Sequence, residues 1–199
     1  MAGLFVTLEG IDRSGKSTQA ALLADALGDG AVAVREPGGT PAGERVRDIL
    51  KDPAVELSIQ AEALLFAAAR AELVQQVVRP ALAAGRLVVC DRFLDSSLAY
   101  QGAARGLGVG AVRALNAPAL GELRPDLTLL LWIDPAAAAG RGAEDDRFER
   151  EGDALQRAVA PAYEELAAAE PVRWRRIDAA RDPQTVHADV LAAVRELRA

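Results

Sequence analysis

The chain has 199 residues, 51% of them hydrophobic and 26% charged, with a net charge of −6. That length suits one domain with one substantial core, and the acidic balance argues against a generally basic nucleic-acid binder while leaving room for a local arginine cluster around a small anion. No basic leader or bilayer-length apolar run is present, and Cys90 is the only cysteine, so an internal disulfide is excluded and a cytoplasmic location is expected.

Five β-type runs follow in order: Leu4–Glu9, Ala31–Arg35, Leu87–Asp91, Leu127–Ile133 and Val172–Ile177. The third and fourth are almost unbroken apolar stretches, as strands buried on both faces should be. Between them lie segments of helical period at Lys16–Leu27, Gly43–Lys51, Ile59–Ala84, Val109–Leu123, Asp153–Ala169 and Pro183–Leu197. Pro80 and Pro161 fall inside two of these and are expected to kink them. The alternation predicts an α/β fold with a mostly parallel sheet. The region Ala136–Asp146 is small and charge-dense, and is expected to be mobile. Cys90, Trp132 and Trp174 read as core or packing residues, and His187 receives no role.

Gly10-Ile11-Asp12-Arg13-Ser14-Gly15-Lys16-Ser17 fits the phosphate-loop pattern G-x-x-x-x-G-K-[ST], after a strand and opening a helix. Its backbone N–H groups suit anionic oxygens, Lys16 should reach the β/γ-phosphates, and Ser17 should ligate Mg²⁺. Only Lys16 and Lys51 are lysines, the other 21 of 23 Lys+Arg residues being arginine, so an ammonium at position 16 stands out in a chain that otherwise uses the wider guanidinium fork. A second landmark is the apolar run ending in Asp91-Arg92. Ligands in open α/β sheets bind beyond the carboxyl ends of strands, which places Asp91 to hold Mg²⁺, directly or through water, and Arg92 to touch phosphate.

Further stretches carry a resemblance. Arg35-Glu36-Pro37-Gly38-Gly39-Thr40-Pro41, Glu62 to Arg70 (EALLFAAAR), Asp91 to Gly102 (DRFLDSSLAYQG), Arg124-Pro125-Asp126-Leu127-Thr128 and Asp146-Arg147-Phe148-Glu149 resemble bacterial thymidylate kinases, in order along the chain. The resemblance implies one P-loop nucleoside-monophosphate-kinase-like domain over residues 1–199. Its fold would be a three-layer sandwich with a five-stranded parallel sheet of order 2-3-1-4-5, and a mobile lid at about 136–152. It also implies phosphoryl transfer from ATP to thymidine monophosphate (dTMP) with Mg²⁺, in a homodimer, with neither nucleic acid nor membrane as partner.

By the same resemblance Phe66 stacks on thymine and Arg70 bonds its carbonyl edge; the two lie four apart on one helical face. Ser97 and Gln101 reach the base from the other side. Tyr100 sits where a ribose 2′-hydroxyl would clash. Arg35, Arg47 and Arg92 surround the monophosphate, with Pro37 nearby, and Glu36-Pro37 matches a position where relatives often carry a cis bond. Thr18 extends the ATP phosphate contacts. Asp12 falls near the sugar 3′-hydroxyl and the acceptor phosphate, where it would orient the acceptor or a metal-bound water; the attacking oxygen already carries charge and needs no general base. Many bacterial relatives have Gly in place of Arg13 and several lid arginines. Here the loop reads Asp-Arg-Ser, as in eukaryotic-type members, and the lid offers Arg141 and Arg147. Arg13 and the lid arginines therefore stand as alternative sources of transition-state charge. Two rivals stay open: a kinase of another nucleotide on this scaffold, and a nucleotide-gated switch.

Overall fold

The central strand β1 (Leu4–Glu9) alternates between two apolar layers, and its neighbour β3 (Leu87–Asp91) does the same. Phe5, Val88 and Cys90 belong to one buried cluster, with Leu73, Val74 and Val78; Val6, Leu8, Leu87 and Val89 belong to another, with Leu23, Val159 and Val190. Both faces of these strands are covered, which explains their near-continuous apolar sequences. The computed structural model describes residues 3–141, 147–150 and 152–198.

All strand pairs are parallel, and with β2 (Ala31–Arg35), β4 (Leu127–Trp132) and β5 (Trp174–Asp178) the sheet runs β2-β3-β1-β4-β5. This is the expected order. The chain reverses its direction of travel across the sheet at β1, so the carboxyl ends of β1 and β3 open onto one crevice.

The helices are α1 (Lys16–Leu27), α2 (Pro41–Lys51), α3 (Ile59–Leu73), α4 (Arg79–Ala83), α5 (Leu94–Ser97), α6 (Val109–Leu120), α7 (Pro135–Ala139), α8 (Arg147–Arg150), α9 (Gly152–Ala169) and α10 (Pro183–Arg198). Helix α2 begins two residues earlier than expected because Thr40 caps it, accepting from Gly43 N at 3.0 Å, with Pro41 at the tolerated first position. The expected helix Ile59–Ala84 is interrupted by a π-helical turn, Val74–Val78, immediately before Pro80. Proline has no N–H to give back to the preceding turn, and the wider turn absorbs that loss. Pro161 instead leaves α9 unbroken; the carbonyl it strands is that of exposed Arg157, where water can replace the bond. Helix α6 stops at Gly121, whose φ of 55° is left-handed.

The sequence reading missed the helical character of Leu94–Ala104, where α5 runs into a second π-helical turn at Leu98–Ala104. It also missed α7, capped by Asp134 on Ala136 N. Residues 142–146 and 151 of the expected lid lie outside the described residues; its flanks are α7 and α8. Cys90 is fully buried, donates to Arg92 O and has its thiol pushed well above the ordinary range by burial and then by neighbouring carboxylates, which keeps it inert at neutral pH. Among the described residues no helix is long and apolar enough to cross a membrane.

Candidate active site

The loop from Gly10 to Ser17 follows β1 and turns through positive φ at Gly10 (142°), Arg13 (62°) and Gly15 (93°). At Gly10 a Cβ would lie 2.6 Å from Leu131 O, so a side chain is excluded. Gly15 caps α1 with no side-chain hydrogen bond, leaving the helix N–H groups for an anion. Lys16 curls into the loop, donating to Ile11 O at 2.6 Å and Ser14 Oγ at 3.3 Å. Its pKa is lowered to about 8, by burial first and by Arg92 second.

Ser17 Oγ donates to Asp91 Oδ2 at 2.5 Å, and Asp91 Oδ1 is buried with no hydrogen-bond partner among the described residues. A hydroxyl and an orphaned carboxylate oxygen at the mouth of a phosphate loop are hard oxygen ligands that suit Mg²⁺. The residues present therefore fit the ion that the loop motif implies.

Arg92 is the centre of the site. It takes a left-handed backbone (φ 68°), lies 5.2 Å over the Tyr100 ring, ion-pairs with Asp12 Oδ1, and donates to Gly10 O and Ser96 Oγ at 3.1 Å each. Asp12 is held from its other side by Gln156, whose amide donates to Asp12 Oδ2 at 2.6 Å and accepts from Asp12 N at 2.9 Å. Burial works to raise the Asp12 pKa, but the charges of Arg92 and Lys16 outweigh it and the carboxyl sits below its ordinary value. Behind Arg92, buried Glu9 accepts from Phe93 N (2.8 Å), Ser96 Oγ (2.6 Å) and Tyr163 OH (3.0 Å). Burial, and then the charge of Asp95, raise Glu9 to about 7.

Asp12, Lys16, Ser17, Asp91, Arg92, Ser96 and Tyr100 line one cleft of about 870 Å³, with Glu9, Gln156 and Tyr163 behind them. Of the expected site residues, Asp12 to Thr18, Arg35, Pro37, Arg47, Phe66, Arg70, Asp91, Arg92, Ser97, Tyr100, Gln101 and Arg141 line it. Gly10 and Ile11 shape the loop behind it. Arg147 stands to one side, donating to Leu50 O at 2.8 Å and Glu62 Oε2 at 2.6 Å; its neighbour Phe148 does line the cleft and lies 6.0 Å from the Phe66 ring. Arg13 Nη1 donates to Ala139 O at 3.2 Å, and Arg141 reaches Arg13 O and Ala179 O. Arg35 forms a two-pronged pair with Glu44 at 2.8 and 2.9 Å, and Arg47 donates to Pro37 O at 3.0 Å. The Glu36–Pro37 bond is cis.

The far end of the cleft is more constrained than its sequence suggested. Arg70 is 1% exposed, and its guanidinium is divided among Glu36, Asn116 Oδ1 (2.5 Å), Ser97 Oγ (3.0 Å) and Phe93 O (3.1 Å). Glu36, Asn116, Glu62, Gln156 and Tyr163 were not singled out from the sequence. Ala179, Arg181, Pro183 and Val186 also line the cleft. The rule that ligands bind beyond strand ends, applied to β5 as it was to β3, would have marked Ala179–Pro183; nothing local marks Asn116 or Gln156.

A P-loop facing a second pocket across an Asp–Arg pair, at the switch point of a 2-3-1-4-5 sheet, is the arrangement of a nucleoside monophosphate kinase. The model of the thymidylate kinase family matches residues 8–190. Thymidylate kinases of Deinococcus radiodurans and Pelotomaculum thermopropionicum are 47% and 48% identical to this chain, covering 98% and 99% of it and 97% and 95% of their own lengths. The crystal structure of thymidylate kinase from Ehrlichia chaffeensis superposes with a TM-score of 0.82 at 32% identity, covering 98% of this chain and 99% of that one. The chain belongs to the thymidylate kinase family, and its class is that of the ATP-dependent nucleoside monophosphate kinases.

Proposed function

We propose that this protein transfers the γ-phosphoryl group of ATP to dTMP, giving dTDP and ADP, a step of dTTP synthesis. The observation that carries the reading is one cleft lined both by the phosphate loop and by Phe66 with Arg35, Arg47, Arg70 and Arg92, the last paired with Asp12. In this reading the loop N–H groups and Lys16, with Thr18 and Arg141 beside them, hold the donor phosphates. The acceptor phosphate lies among Arg35, Arg47 and Arg92, near Pro37. The thymine stacks on Phe66, with Tyr100 against the sugar; Arg70 and Ser97, expected on opposite sides of the base, are bonded to each other at 3.0 Å and so meet it from one side, with Gln101 one turn further along.

Ser17 and Asp91 would hold Mg²⁺, which when bound would neutralise part of the donor's phosphate charge. An oxygen of the dTMP phosphate forms the new P–O bond as the β–γ bridging bond breaks, and ADP leaves with that electron pair. Asp12, fixed by Arg92 and Gln156 and kept ionised by that charge, orients the acceptor. Arg92 holds the attacking phosphate, and Arg13 or the lid arginine Arg141 holds charge on the group in flight; Arg147, bonded to Leu50 O and Glu62 beside the cleft, is not placed for that task. A homodimer and a cytoplasmic location complete the reading. The exposed Leu64 on α3 and Ile49 on α2 support the first and the single cysteine the second; the net charge of −6 weighs against nucleic acid as a partner. Coupled detection of ADP with ATP and each nucleoside monophosphate tests the reaction: turnover should require a monophosphate and be fastest with dTMP. Hydrolysis of ATP without an acceptor would support a nucleotide-gated switch instead.

A further inference from the structure

Gln101 lines the cleft, but its amide is not free to choose which end it shows to a ligand. Nε2 donates to Glu62 Oε1 at 2.8 Å, and both residues are almost fully buried. Turning the amide over would set Oε1 against a carboxylate oxygen, two acceptors in a site with little solvent to separate them. The nitrogen is therefore committed to Glu62 and the carbonyl oxygen is turned the other way. Glu62 is itself pinned by two guanidinium groups, Arg105 Nε at 3.1 Å and Arg147 Nη2 at 2.6 Å. It is thus a fixed carboxylate, and it does not itself line the cleft.

Arg70 is fixed by the same logic. Glu36 takes Arg70 Nε and one edge of Nη2, Phe93 O and Ser97 Oγ also accept from Nη2, and Asn116 takes one hydrogen of Nη1. What remains on Arg70 is the second hydrogen of Nη1, a donor. Arg70 then offers N–H and Gln101 offers C=O.

Resting on the dTMP reading above, we propose that Glu62 is a positioning residue for base specificity: by holding the Gln101 amide nitrogen it presents an acceptor to the pyrimidine N3 position. A keto-lactam base such as thymine brings N3–H to that acceptor and a carbonyl to Arg70. An aminopyrimidine such as cytosine brings a bare N3 and an amino group, and meets like against like at both residues. A site built to pair a polar edge rejects the mismatched edge far more strongly than a site that senses only shape.

The test is Glu62→Gln, which keeps the shape and lets either end of the Gln101 amide face the cleft. The ratio of kcat/KM for dTMP over deoxycytidine monophosphate should fall by at least about tenfold, mainly through a raised KM for dTMP, with the KM for ATP unchanged. Arg147→Gln removes the α8 contact but leaves Glu62 on Gln101; it should leave that ratio within about twofold, since both substrates lose equally. A Glu62→Gln enzyme with the wild-type ratio overturns the proposal. So does an Arg147→Gln enzyme that loses the ratio as far as Glu62→Gln does, because Glu62 would then act through α8. If Glu62→Gln does not fold, the wild-type dTMP complex decides by NMR. Gln101 side-chain amide hydrogens close to Glu62 support the assignment, and the same hydrogens facing the base refute it. A wild-type enzyme that does not phosphorylate dTMP at all contradicts the proposed function, a result separate from any of these.

Discussion

Arg92 ion-pairs with Asp12, tying the end of β3 to the phosphate loop 80 residues earlier in the chain. Both residues line the cleft, and Arg92 adopts a left-handed backbone. Such a conformation in a non-glycine residue persists only where its surroundings hold it. Here Glu9 supplies the hold, through Phe93 N and Ser96 Oγ on the C-terminal side of Arg92.

Glu9 gives a prediction in pH. Its folded-state pKa is raised from 4.5 to about 7, so from about pH 4.5 to 7 the unfolded chain releases a proton that the folded chain keeps. Stability therefore falls as pH rises through that window, by up to about 3 kcal/mol if the shift is fully expressed. Glu9→Gln removes this contribution. The difference in melting temperature between Glu9→Gln and wild type should shift in favour of the variant from pH 5 to pH 7.5, and a pH-independent difference would contradict the titration.

Arg13 also has a left-handed backbone, φ 62°, so Arg13→Gly relieves strain rather than adding it. Any loss of activity then reports the guanidinium. Turnover should fall by roughly 10²–10⁴ with little change in ATP affinity, the pattern of a contact made mainly in the transition state. Arg13→Lys should recover only part, and Arg141→Ala should lose less than Arg13→Gly. Near wild-type turnover in Arg13→Gly would assign the charge to the lid, through Arg141.

Arg70 would be read from sequence as a base contact alone, whose loss affects only dTMP. Its burial against Glu36 changes that expectation. Arg70→Ala leaves a buried carboxylate without its partner, which should lower stability by about 3–5 kcal/mol besides raising the KM for dTMP. The double variant Arg70→Ala/Glu36→Gln should recover much of the stability and none of the dTMP affinity. Recovery of both would mean that Arg70 acts only as Glu36's counter-ion.

What could be read in advance follows the range of each interaction. Strands β3 and β4 were legible because strands buried on both faces write continuous apolar runs, whereas the sheet order came with the resemblance and not from any run. The phosphate loop was legible because its glycines and lysine are neighbours in sequence. Leu94–Ala104 hid its helix because a four-residue helix passing into a π turn is too short to show a period. Gln156 was invisible because it meets Asp12 across 144 residues, and Asn116 because it meets Arg70 across 46. Glu36 and Glu62 were inside quoted motifs, but nothing in their spacing says that they hold other side chains rather than ligand.

Tyr100 combines both kinds of information. Its hydroxyl donates to Gln156 at 3.1 Å, beside Asp12, while its ring lies under Arg92. Tyr100→Phe keeps the ring and should still exclude the ribonucleotide, with a modest loss of turnover from the loosened Gln156. Tyr100→Ala should admit it. Equal discrimination by Ala and wild type in competition assays would remove the steric role.

The most direct measurement is steady-state turnover of the wild-type protein with ATP and Mg²⁺ against a panel of thymidine, deoxyuridine, deoxycytidine and deoxyguanosine monophosphates. The account predicts the highest kcat/KM for dTMP, deoxyuridine monophosphate poorer by about 10–200-fold through one methyl contact, and the other two poorer still. Equal or faster turnover of the cytidine or guanosine nucleotide would contradict it.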